Sequence, residues 1–333
     1  MSLKRLRLLC AAALSLCFAG TAALAQTAAP GTVPAAMPAV TPAVVPVAAP
    51  AVVPIAEPAA EPPAEPAMEA SAPEAPAPAS MAPAAPPVKA ATAPPPAAPM
   101  TGPVRNVVLV HGAFVDGSSW NGVVAKLQQK GYHVSSVQNP LTSLADDVAA
   151  TRRVLARQNG PTLLVGHSWG GIVITEAGAN APNVAGLVYI AAIAPDLHET
   201  AMDLMKRGAQ MPAGKSIIKD PSGFLWLDRT KYRADIAADV PENLTRVLAA
   251  AQVPLAEKTL TETVSQVAWK DKPSWYVLTT KDRALSPELE KFMADRMGAK
   301  VVPMASSHLA PVSHAGEIAD VIDRAARELS RQQ

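Results

Sequence analysis

Three side chains in one order could do chemistry together here: a serine, an aspartate and a histidine. Ser168 stands in V-G-H-S-W-G-G, residues 165–171, with Gly166 two positions before it and Gly170 two positions after. A strand that turns abruptly into a helix at a serine needs small neighbours, because the turn is strained and the helix packs close. Such a turn lifts the Ser168 hydroxyl above a sheet, at a helix N-terminus whose positive end favours negative charge. The Trp169 N–H then faces the place where an oxyanion would form. A second donor has to come from a neighbouring loop. V-L-V-H-G-A-F, residues 108–114, offers Ala113, with Phe114 as the alternate. His111 in that loop is expected to brace it rather than to catalyse.

The acid and the base are expected further on. W-Y-V-L-T-T-K-D-R, residues 275–283, ends a strand-like run at Asp282, and S-S-H-L, residues 306–309, carries His308. Serine, then acid, then histidine is the chain order of a nucleophile-elbow scaffold. His308 would take the proton of Ser168, while Asp282 would fix its tautomer and stabilise the imidazolium. Asp196 is the rival acid and His314 the rival base. His133, in a strand, and His198 are expected to be structural or solvent-facing. The six histidines show no ligand spacing, so neither a metal nor another cofactor is expected.

Positioning these groups takes a sheet. Apolar runs at 105–110, 132–137, 162–165, 184–192, 273–280 and 300–304 read as strands. Between them, helical spacing runs over 119–130, from a Ser143-Leu-Ala-Asp capping box toward Gln158, over 172–180, from Ser286-Pro287 onward, and over 315–329. This alternation predicts an α/β domain with a parallel sheet covered on both faces. Residues 195–268 break the alternation. They look helical and loop-like, with Met202, Met205, Met211, Phe224, Trp226 and Leu227, and with Trp269 just past their end, and are expected to form a cap over one end of the sheet. Trp169 and Phe114 are expected to wall the substrate pocket beneath it.

The rest of the chain differs in kind. Residues 1–25 read as a signal peptide: Lys4, Arg5 and Arg7, an apolar stretch, then an Ala23-Leu24-Ala25 cleavage site. The alternative is an uncleaved inner-membrane anchor, since roughly 18 residues could just span a bilayer. Both cysteines, Cys10 and Cys17, lie in this segment, so a processed chain would have neither disulfides nor a thiol nucleophile. Residues 26–103 hold 22 of the 34 prolines and no aromatic residue. Such a composition cannot bury enough apolar surface to fold, and is expected to be an extended tether reaching on the order of 240 Å. A cell-envelope contact through this tail is a further expectation. Residues 104–333 are then the folded domain, of sufficient size for one core. Across the chain, 29 basic residues balance 28 acidic ones without a basic block, which argues against nucleic acid as a partner.

Taken together, V-L-V-H-G-A-F-x-D-G-S-S-W, G-H-S-W-G-G, K-D-R-x-L-S-P-E and S-S-H resemble the α/β-hydrolase superfamily. The resemblance is nearest its compact-cap branch of plant methyl esterases, hydroxynitrile lyases and bacterial esterase-like relatives. It covers essentially all of 104–330 and implies a six-stranded parallel core with a small helical cap. Hydroxynitrile lyases carry a lysine after the catalytic histidine and a threonine after the first loop histidine. Leu309 and Gly112 stand there instead, which disfavours cyanohydrin cleavage. Dehalogenases and epoxide hydrolases of the superfamily have an aspartate where Ser168 stands. What remains is acyl transfer to water: an exported, periplasmic or secreted serine hydrolase acting on small-to-medium apolar carboxylic esters. Lactones, thioesters or amides would use the same machinery, and a receptor-like pseudo-hydrolase is the reading outside catalysis.

Overall fold

The structure is a computed structural model and describes residues 100–332. The expected signal peptide and nearly all of the expected tether lie outside the described residues. The chain begins its sheet with β1 (Asn106–Val110), α1 (Asn121–Gln129), β2 (His133–Val137), α2 (Leu144–Leu155), β3 (Thr162–His167), α3 (Gly170–Ala177) and β4 (Val184–Ile190). A cap follows: α4 (Ala201–Arg207), α5 (Pro212–Lys215), β5 (Ile217–Lys219), β6 (Phe224–Leu227), α6 (Tyr232–Ile236), α7 (Glu242–Ala250) and β7 (Leu255–Ala256). The sheet resumes with β8 (Ser274–Thr279), α8 (Pro287–Arg296) and β9 (Lys300–Met304), then closes with α9 (Ala310–Ser313) and α10 (Ala315–Gln332).

Six strands pair in the order β2-β1-β3-β4-β8-β9, all parallel. Side chains alternate between the two faces, so each inner strand feeds two cores. Val108, Val110 and Leu164 pack with Val148, Ile172 and Met293 from α2, α3 and α8. Val107, Leu109 and Leu163 pack with Leu127, Ile318 and Ile322 from α1 and α10. Burial on both faces is why β1 is apolar from Val107 to Val110 rather than alternating. In α10, Ile318, Ile322, Ala325 and Leu329 form one buried stripe at helical spacing.

The strand order reverses between β1 and β3, where Val110 lies opposite Gly166. At such a reversal the loops leaving neighbouring strands diverge and open a crevice at their C-terminal ends. The loop after β1 and the turn after β3, with Ser168, therefore share one crevice.

Several expectations change in detail. The 119–130 helix is preceded by a separate 3₁₀ turn, Gly117–Trp120, and α2 stops at Leu155 rather than Gln158. Ser143 caps α2 by accepting the Asp146 N–H at 3.0 Å. The Asp146 carboxylate takes the Ser143 and Thr142 hydroxyls instead of the Ser143 N–H, so only half of the capping box forms. The cap is not purely helical: β5, β6 and β7 make a three-stranded antiparallel sheet. The β5–β6 turn carries Gly223 at φ +85°, which an L side chain rarely adopts.

Candidate active site

Ser168 sits between β3 and α3 with φ +53°, a left-handed conformation that costs free energy unless its surroundings enforce it. Three backbone bonds enforce it. The Ser168 N–H donates to Ile190 O at 3.2 Å, and Ser168 O accepts from Gly171 N at 3.0 Å and Ile193 N at 3.1 Å. Glycines make the room: a Cβ on Gly166 would lie 2.5 Å from Gly170 O, and one on Gly112 would lie 2.7 Å from the Ser168 Cβ.

His308 Nε2 is 2.8 Å from Ser168 Oγ, and His308 Nδ1 is 2.6 Å from Asp282 Oδ2. An ionised carboxylate only accepts, so Nδ1 carries the hydrogen and Nε2 is free to take the serine proton. Asp282 Oδ1 accepts the Ala284 N–H at 2.7 Å and the Leu285 N–H at 2.9 Å. Burial works against the Asp282 charge, but His308 and these two N–H groups outweigh it and hold the carboxyl below its ordinary value.

Of the expected donors Ala113 and Trp169 and the alternate Phe114, the first two are available and the alternate is not. Among the described residues, Ala113 N–H and Trp169 N–H meet no acceptor, and Trp169 immediately precedes α3. The Phe114 N–H already donates to Val253 O at 3.1 Å, and Phe114 O accepts the Tyr232 hydroxyl at 2.8 Å. With both backbone groups tied to the cap, Phe114 is no oxyanion donor, which corrects that alternate. Its side chain and that of Trp169 do line the cavity over Ser168, about 370 Å³ in volume. Met202, Met205, Leu225 and Leu260 supply apolar walls from the cap, and Glu257 is the one acidic residue of the lining. A larger, shallow groove of about 780 Å³ runs along α2 past Arg152, Arg153 and Glu176, and includes none of these reactive groups.

Residues 107–321 match the sequence model of the alpha/beta hydrolase family. The chain belongs to the alpha/beta hydrolase family. Over 104 residues it is 36% identical to a pyrethroid hydrolase of Sphingobium wenxiniae, covering 27% of this chain and 36% of that protein. Over 119 residues it is 32% identical to a carbendazim hydrolyzing esterase of a Nocardioides species, covering 31% and 48%. The matched stretches thus span between a third and a half of those curated relatives. Two solved structures share the fold. A pyrethroid hydrolase from Sphingobium faniae has TM-score 0.59 at 21% identity, covering 67% of this chain and 98% of that one. A methylesterase from Arabidopsis has TM-score 0.56 at 19% identity, covering 67% and 99%.

In this alpha/beta hydrolase the rival groups lie elsewhere. Asp196 pairs with Lys270 at 2.5 Å. His314 Nδ1 meets Ser313 Oγ at 2.8 Å. His133 is exposed on β2, and the His198 N–H bonds Val264 O at the cap's base. His111 braces its loop: Nε2 accepts the Asn139 N–H at 2.9 Å, leaving Nδ1–H to donate to Gly112 O at 2.8 Å. Burial lowers its basicity.

Four groups near the site were not singled out from the sequence. His167 is fully buried, and burial, followed by the neighbouring His308, pushes it down to about 3. It is therefore neutral, and its Nε2 lies 2.9 Å from His308 O, a donor to that carbonyl. Asp147, on α2, accepts the Trp169 indole N–H at 2.7 Å and the Leu141 N–H at 2.8 Å. Asp239, in the cap, accepts the Ser307 N–H and the Ser306 hydroxyl, both at 3.0 Å, and the Ser307 hydroxyl. Glu290 lies behind Asp282 on α8. The only sequence signal for His167 was its place beside the nucleophile; the acids had none, because contacts between distant elements bring them in.

Proposed function

We propose that the chain is an exported serine hydrolase that cleaves carboxylic esters of small-to-medium apolar substrates through an acyl-serine. The observation that carries this is the unbroken line of hydrogen bonds from Ser168 through His308 to Asp282 beneath an apolar cavity. Ser168 Oγ attacks the ester carbonyl as His308 Nε2 takes its proton. The carbonyl oxygen becomes an oxyanion held by the Ala113 and Trp169 N–H groups, each such donor lowering the barrier by about 3 kcal/mol. His308 passes the proton to the leaving alkoxide, giving alcohol and acyl-Ser168. It then takes a proton from water, whose oxygen attacks the acyl carbon, and returns that proton to Ser168 as the acid leaves.

The apolar walls favour an apolar substrate; apart from Glu257 in the cap, the side chains that bring polar atoms to the lining, Ser168 and His308, stand at the reacting end. The relatives' names, a pyrethroid hydrolase and a carbendazim hydrolyzing esterase, support hydrolysis as the reaction class. Export rests on the signal-like residues 1–25 alone. The test is a panel of p-nitrophenyl esters from acetate to decanoate, with Ser168→Ala beside the parent chain. The expected outcome is hydrolysis that falls by at least about a thousandfold in the variant. Activity that the variant keeps, or no hydrolysis of any ester, overturns the proposal.

A further inference from the structure

One hydroxyl stands between two buried carboxyl groups. Thr279 Oγ1 is 2.9 Å from Asp282 Oδ2 and 2.8 Å from Glu290 Oε1. Glu290 Oε2 accepts the Thr279 backbone N–H at 3.0 Å. All three side chains are buried, Thr279 and Glu290 completely. A threonine hydroxyl has a single hydrogen and donates to one partner only. Were both acids ionised, one of these two contacts would hold no hydrogen, and two negative charges would share a dry site.

The missing hydrogen belongs to one of the carboxyls, and the surroundings say which. Asp282 is already met by three donors: Ala284 N–H and Leu285 N–H on Oδ1, and His308 Nδ1–H on Oδ2. Those bonds favour its charged form. Glu290 has one such donor, the Thr279 backbone N–H on Oε2, and no cation beside it. The titratable groups facing it are Asp282, from the loop after β8, and the Tyr276 hydroxyl on β8, which bonds Ala192 O. His308 bonds Asp282 rather than Glu290.

We infer that Glu290 is a positioning residue of the candidate site, a neutral carboxylic acid that donates its hydrogen to Thr279 Oγ1 so that Thr279 donates to Asp282 Oδ2. Burial, and then the Asp282 charge, hold the Glu290 carboxyl well above its ordinary value, in agreement with this geometry. The triad aspartate is thereby met by four donors, two on each oxygen. Its orientation toward His308 is fixed from behind without a second negative charge. The kinetic part of the inference rests on the proposed ester hydrolysis; the protonation of Glu290 does not.

The test uses the full chain with Glu290→Gln and Glu290→Met. An amide in place of the acid can donate to Thr279 Oγ1 and accept the Thr279 N–H, whereas methionine can do neither. At about pH 8, infrared difference spectra should show the carbonyl stretch of a protonated carboxylic acid that is present in the parent and absent in E290Q. A folded group that keeps its proton, while the unfolded chain releases it above about pH 4.3, loses stability as pH rises. The Tm advantage of E290Q should therefore grow from about pH 5 to about pH 8.

In the kinetic arm, E290Q should keep kcat/KM within about twofold, with the acid limb of its pH profile in place. E290M should lose about tenfold in kcat with KM unchanged. Absence of the acid band, or an acid limb displaced to lower pH in E290Q, would mean that a negative charge had been removed and would overturn the inference. So would an E290M with the parent's kcat. If E290M does not fold, the E290Q measurements decide. If no ester is turned over, the infrared and thermal results still decide the protonation, and only the functional proposal falls.

Discussion

Asp147 is an acid that works at a distance from the reacting atoms. Its two oxygens hold the indole of Trp169 and the Leu141 N–H. Burial is the main reason its carboxyl is pushed up to about 6, and the hydrogen bonds from Trp169 and Leu141 only partly offset it. The folded carboxyl thus binds a proton more tightly than the unfolded one. Its contribution to stability is full at low pH and diminishes as pH rises from about 4 through about 6. Below about 6 the acid carries a hydroxyl hydrogen, and one of its two N–H partners then faces a neutral hydroxyl oxygen, a weaker acceptor than a carboxylate. Tryptophan emission should therefore titrate with a midpoint near 6 in the parent chain and lack that step in Asp147→Asn. An emission profile identical in the two would show that Trp169 does not depend on this carboxylate. None of this was legible in S-L-A-D-D-V, whereas Ser168 was, because its signal is contiguous. The glycines that make the elbow stand within two residues of it. Asp147 meets Trp169 from 22 residues away, and Glu290 meets Thr279 from another element.

The loop after β1 and the cap act as one element. The Tyr232 hydroxyl, from α6, and Val253 O, from the segment after α7, hold Phe114 O and Phe114 N. Phe114 has φ +61°, so these two bonds support a strained residue directly after Ala113. Tyr232→Phe removes one of them. It should cost about 1 kcal/mol of stability, read as a lower Tm, and should lower kcat more than it raises KM, because Ala113 is one of the two proposed oxyanion donors. A shift in KM alone would place the role of this bond in substrate binding. The core elements were readable because apolar runs and helical spacing alternate over long stretches. The cap sheet was not, because β5 spans three residues and β7 two, too few for a period-two pattern to stand out. The D-P-S-G turn at residues 220–223 was the one local sign of a hairpin.

At the scale of the molecule, every group proposed for the chemistry lies within residues 113–308, inside the 107–321 family match. No helix among the described residues is long and apolar enough to cross a membrane. Residues 104–333 expressed alone should hydrolyse the same ester series with kcat/KM within about twofold of the full chain. A marked loss on truncation would give the proline-rich segment a part in catalysis. The parallel α/β plan was legible because the inner strands β1, β3, β4 and β8 are covered on both faces and are mostly apolar runs. The cap's hold on the site arises only when distant elements close on one another.

Asp239 has a consequence for anyone re-engineering specificity. It lies in the cap, yet it anchors Ser306 and Ser307, the two residues that lead into His308. Cap and core are therefore not interchangeable modules. A foreign cap grafted onto this sheet would bring a new pocket but leave the histidine loop without its tether, so Asp239 and its place in the chain would have to travel with any graft.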